Sequence, residues 1–151
     1  MYLRNAINLD INPGVCPDVV ADFHSLPFRN KAFDTILALD VIEHSSRPND
    51  FISELERVCK NGGNIIVESC DFDIVPTNWV ADKDHKTYVN ERTFRELTRG
   101  KYVIFNFGRD MLIAVRKPSV FDKLFYKFLT ILIESYRIVT MQPKGRATHW
   151  R

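Results

Sequence analysis

The chain has 151 residues, is 45% hydrophobic and 26% charged, and carries a formal net charge of +2. Such a length buries one substantial core, and the composition excludes a disordered or collagen-like chain. No apolar run reaches the roughly 20 residues of a spanning helix, and three scattered cysteines fit neither a disulfide framework nor a zinc knuckle.

Ala6-Ile7-Asn8-Leu9-Asp10-Ile11 reads as a short strand, stopped by the turn cluster Asn12-Pro13-Gly14. Asp18 to Asp22 is a second short strand with an acid at its end. Residues 33–40, FDTILALD, form a nearly continuous apolar run, the pattern of a buried parallel strand. Pro48 then opens a helix whose face is Phe51, Ile52, Leu55, Val58 and Cys59, with Gly62 and Gly63 expected to end it.

Asn64 to Glu68 is the next strand. Ser69 to Val89 is too long for an ordinary connection and reads as an irregular functional loop. Asn90 is placed to cap a short helix carrying Phe94 and Leu97 and closed by Gly100. Lys101–Phe107 and Met111–Arg116 pair as a hairpin around Gly108-Arg109-Asp110, and an aromatic amphipathic helix follows over 119–136. The expected division is 1–118 as the main domain and 119–151 as helix and basic tail. From Ser119 onward six basic residues face two acidic ones, so the tail carries +4 and the rest −2. This alternation predicts an α/β layer fold, with a mostly parallel sheet and an antiparallel C-terminal hairpin.

Ligands of open α/β sheets sit at the carboxyl ends of the strands, where Asp10, Asp22 and Asp40 fall. An acid after the first strand suits vicinal ribose hydroxyls; one after the second suits an adenine amino group, with Phe23 beside it to stack. For each acid alone, a turn or cap role carries equal weight.

The pieces LDI, VVAD, LPF-x-x-x-x-FD, VIEH and E-x-x-RV-C-K-N-GG occur in that order over residues 6–68. This series resembles the class I S-adenosylmethionine-dependent methyltransferases, closest to their type 11 branch; DKDHKTYVNERTFRELT matches more loosely. The resemblance implies a Rossmann-like fold, S-adenosylmethionine as cofactor and a small-molecule acceptor. It implies that Asp10 holds the ribose, that Ile11 packs on the adenine, and that Asp22, Phe23 and His24 surround its amino group. Leu39 and Asp40 would lie by the methionine portion. The family transfers no universal catalytic residue, and His44 stands only as a weak candidate. The family also places a strand and a glycine-rich turn before its first acidic strand; here Ala6 follows five residues. The expectation is therefore a truncated start, with the first strand missing from this chain.

Bland readings stand beside these. His44 fits a structural histidine at a turn, and His85, within D-K-D-H, fits a solvated loop with no metal. Trp79 suits a pocket wall and a lid over the core equally. Alternatives to a methyltransferase are a degenerate binding subunit and, further off, a nicotinamide-dinucleotide oxidoreductase. Self-association or a partner chain would use an exposed sheet edge or helix 119–136. Peripheral membrane contact by that helix is a weaker reading, the charge gives no clear case for nucleic acid, and the thiols suit a cytoplasmic setting.

Overall fold

The computed structural model describes residues 6–106 and 111–116. The expected turn at 108–110 and the helix and tail over 119–151 lie outside the described residues. Among the described residues six strands and three α-helices run in the order β1 (Leu9–Asp10), β2 (Val19–Val20), β3 (Phe33–Leu39), α1 (Pro48–Val58), β4 (Cys59–Cys70), α2 (Pro76–Ala81), α3 (Glu91–Leu97), β5 (Tyr102–Asn106) and β6 (Met111–Arg116).

The strands form two sheets, not one. β1 and β2 pair in parallel by themselves, while the larger sheet has the order β3-β4-β6-β5. β3 and β4 are parallel; β6 runs antiparallel to both β4 and β5. The larger sheet is therefore mixed, not mostly parallel, because the hairpin inserts its second strand next to β4. The short strands expected over 6–11 and 18–22 are shorter still, two residues each. Asp18 Oδ2 clips that short ladder by accepting from Asn8 backbone N and Nδ2, at 2.8 and 2.9 Å.

β3 also differs from expectation. Of its seven residues only Ala38 is buried, and Leu37 is 42% exposed. Among the described strands β3 pairs with β4 alone, and Thr35 and Leu37 on one of its faces are exposed. β4 by contrast alternates cleanly, with Ile65, Val67 and Ser69 buried.

The core forms where the apolar face of α1 (Phe51, Ile52, Leu55) meets Ile65 and Val67 of β4. Phe72, Val89 and Phe94 extend it. Burial of each such side chain contributes about 1.5–3 kcal/mol. The E-x-x-R piece has a structural reason. Arg57 donates to Glu54 Oε1 at 2.7 Å and to the carbonyls of Leu26 and Phe28 at 2.9 and 2.7 Å. Glu54 in turn accepts from Leu26 N at 2.9 Å, which ties the 26–30 link to α1. Hydrogen bonds from Arg57 hold the Glu54 carboxyl below its usual range.

Gly62 and Gly63 do not end α1, which stops at Val58. They lie within β4, where the register jumps from Phe33↔Cys59 to Thr35↔Asn64. The extra residues bulge outward, Gly62 adopts φ +76°, and Arg116 donates to the carbonyls of Lys60 and Gly63. A Cβ on Gly63 would stand 2.7 Å from the Asp34 carbonyl oxygen. Gly63→Ala is expected to cost about 1–3 kcal/mol of stability, measured by urea denaturation, since backbone must move to admit it.

Asn90 caps α3 as expected, its Oδ1 accepting from Thr93 N at 2.7 Å. The segment 69–89 is less irregular than its length suggests, because β4 runs on to Cys70 and Pro76–Ala81 is helical. No helix among the described residues is long and apolar enough to cross a membrane.

Candidate cofactor and acceptor site

Asp10 ends β1 half-buried. Its Oδ1 accepts from Asn12 N at 2.8 Å, and Oδ2 accepts no hydrogen bond among the described residues. Ile11 beside it is 61% exposed. An unfilled carboxylate oxygen next to open apolar surface suits a ligand with hydroxyls and a flat ring.

Asp22 lies two residues past β2. Its Oδ1 accepts from His24 N at 2.8 Å and faces His24 Nδ1 at the same distance. The backbone hydrogen bond from His24 is the main reason the Asp22 carboxyl is lowered from its usual value. His24 Nε2 reaches Ser45 Oγ at 2.8 Å. Phe23 is half-buried and meets Phe51 edge-on at 5.4 Å. The end of β2 is therefore tied to the turn after β3, although the two strands belong to different sheets. The expectation of three acids on one sheet edge is corrected to two edges joined through His24 and Ser45.

Leu39 closes β3, and Asp40 follows at φ 51°, in the left-handed region. Asp tolerates that region better than most side chains, and such backbone strain tends to collect at functional sites. Asp40 N donates to Glu68 O at 3.2 Å, which keeps the bend against β4.

Residues 42–44 then form one 3-10 turn. Within it Glu43 is only 2% exposed and accepts from Ser69 Oγ at 3.1 Å. Burial raises the Glu43 carboxyl, and the neighbouring charge of Asp40 adds to that. The 82–87 loop docks on this turn. Lys86 N and Thr87 N donate to Glu43 O at 2.7 and 3.0 Å, and His44 Nδ1 reaches Asp84 O at 3.3 Å.

His85 is not in a solvated loop. Its side chain is 10% exposed, with ring centroids 5.1 Å from Phe72 and 6.1 Å from Trp79. Trp79 also meets Phe72 and Tyr88, each at 5.4 Å, so it covers the core. Loop composition hid both residues, because their burial depends on Phe72, which lies seven and thirteen residues earlier in the chain. Donor atoms of Glu43, His44 and His85 lie within 4.8 Å of one another, as do those of Asp40, Glu43 and Cys70.

This arrangement, with acids at the ends of parallel strands and an antiparallel hairpin beyond, is the Rossmann-like fold of class I S-adenosylmethionine-dependent methyltransferases. Two solved structures share the fold. A SAM-dependent methyltransferase from Archaeoglobus fulgidus superposes with TM-score 0.58 at 17% identity, covering 72% of this chain and 74% of its own. The Burkholderia thailandensis 1,6-didemethyltoxoflavin-N1-methyltransferase, solved with 1,6-didemethyltoxoflavin and S-adenosylhomocysteine, gives 0.51 at 12% identity, covering 73% and 59%.

Residues 2–67, somewhat less than half of the chain, match the family described as a methyltransferase domain, in keeping with the fold and with the motif series over residues 6–68. Squalene methyltransferase 1 of Botryococcus braunii is 33% identical over 138 residues, which are 91% of this chain and 32% of that protein. The chain spans between 20% and 34% of the length of the curated relatives it matches. These comparisons support neither the nicotinamide-dinucleotide reading nor a degenerate binding subunit.

Proposed function

We propose that the chain binds S-adenosylmethionine at the carboxyl ends of β1, β2 and β3 and supports methyl transfer to a small-molecule acceptor. The observation that carries this is Asp10: a half-buried carboxylate whose Oδ2 is unfilled among the described residues, at the end of a parallel strand. It is suited to accept from the two ribose hydroxyls, and Ile11 to lie against the adenine. Asp22, its Oδ1 used by His24, has Oδ2 left to accept from the adenine amino group. Phe23 and His24 would border that ring, and Leu39 and Asp40 the methionine portion.

The bound cofactor supplies a methyl carbon already activated by its sulfonium. What this chain contributes is position, and holding the reactants in line accounts for most of the acceleration such a step needs. The strained bend at Asp40 and the Glu43–Thr87 contacts fix the surface beyond the third strand, where an acceptor would lie.

Thermal denaturation tests the ligand class. S-adenosylmethionine at about 100 times its dissociation constant adds about 2.7 kcal/mol, or roughly 5–10 °C in Tm for a chain of this size. S-adenosylhomocysteine should stabilise similarly and NAD should not. No shift with either sulfur ligand, or an equal one with NAD, would count against the reading.

A further inference from the structure

We propose that Glu43, His44 and His85 form a site for a divalent cation of the zinc type. The three side chains come from two separate segments, yet one donor atom of each lies within 4.8 Å of the other two. Bonds of about 2.0–2.2 Å place donors on a common ion about 3–4 Å apart, so small side-chain rotations close the set.

Each residue carries an independent reason to expect an ion. Glu43 is 2% exposed with Asp40 beside it, and no lysine or arginine pairs with it among the described residues. A buried carboxylate next to a second acid is costly, and a cation removes that cost. The His85 side chain is nine-tenths buried, and its Nδ1 has no hydrogen-bond partner among the described residues. Leaving such an atom unpaired costs about 1–3 kcal/mol. His44 Nδ1 faces the Asp84 carbonyl, which only accepts, so Nδ1 carries the proton and Nε2 keeps its lone pair for a metal.

The surrounding contacts are those a metal site needs. Ser69 Oγ donates to Glu43 Oε2 and orients the carboxylate. Asp82 Oδ2 lies 3.9 Å from His85 Nε2, a carboxylate near the other nitrogen of that ring. Lys86 N and Thr87 N, both donating to Glu43 O, hold the two segments in register.

Two imidazoles and one carboxylate favour a borderline cation over magnesium or calcium, which prefer oxygen ligands throughout. Three protein ligands also leave a coordination position open, as in catalytic rather than structural sites. If the methyl-transfer reading holds, on which this consequence rests, the open position is available to the acceptor. The acceptor would then bind through an oxygen, and His44 would act as a ligand instead of a free base.

The test titrates the metal-stripped 151-residue chain with Co²⁺ as an optical probe, then with Zn²⁺ and Mg²⁺ by calorimetry. One equivalent of Co²⁺ should bind with ligand-field absorption, Zn²⁺ should displace it, and Mg²⁺ should not. Glu43→Gln, close in shape, and His44→Ala, which leaves the Phe72 packing intact, should each weaken Co²⁺ binding at least tenfold. No stoichiometric binding, or binding retained in both folded variants, would overturn the proposal. Loss of S-adenosylmethionine binding with Co²⁺ binding intact would contradict the methyl-transfer reading alone.

Discussion

Asp10→Ala is expected to weaken S-adenosylmethionine binding by about 10- to 150-fold, the worth of a charge-assisted hydrogen bond at about 1.5–3 kcal/mol. The variant loses the acceptor for the ribose hydroxyls and also the Oδ1 that holds Asn12 N at 2.8 Å. Asp10→Asn separates these two effects. It keeps a neutral oxygen for Asn12 but loses the charge, so its affinity should fall between wild type and alanine. Asp34→Ala is the control, because that exposed carboxylate pairs with Lys60 at 2.8 Å and lies outside the proposed site. Calorimetry on folded variants reads all three, and an alanine variant binding as tightly as wild type would refute the role of Asp10.

Phe72→Ala is expected to cost about 3–5 kcal/mol of unfolding free energy, the usual range for deleting a buried aromatic ring. Phe72 is fully buried and in ring contact with Trp79, Tyr88 and His85 at 5.1–5.5 Å. Its removal strips the floor from beneath the whole 72–89 segment. Urea denaturation followed by Trp79 fluorescence in a Trp150→Phe background measures the loss. Val80→Ala, at a position 77% exposed, should stay within about 0.5 kcal/mol. A loss below about 1 kcal/mol for Phe72→Ala would show that the segment is not packed on the core.

These expectations differ in how far the sequence foretold them. Asp10, Asp22 and Asp40 were legible, because an acid after a short apolar run is a local pattern and the strand ends follow from it. α1 was legible through its 3.6-residue apolar spacing, as was the Asn90 cap of α3. The split into two sheets was not, since a run of apolar residues carries no record of which neighbour it pairs with. Gly62 and Gly63 misled for a related reason. A glycine pair after a helical face reads as a stop, whereas here it relieves a close approach to the Asp34 carbonyl that only the tertiary pairing creates. His85 was hidden in the same way. Its neighbours Asp84 and Lys86 are exposed, and burial comes from Phe72 and Trp79, which lie several residues earlier in the chain.

The central claim is that this chain holds S-adenosylmethionine through the acids at its strand ends. Its most direct test is a calorimetric titration of the purified chain, with Asp10→Ala and Asp22→Ala alongside. The expected result is saturable binding to one site, weakened in both variants. No saturable heat with the wild-type chain, or equal affinity in all three proteins, would contradict it.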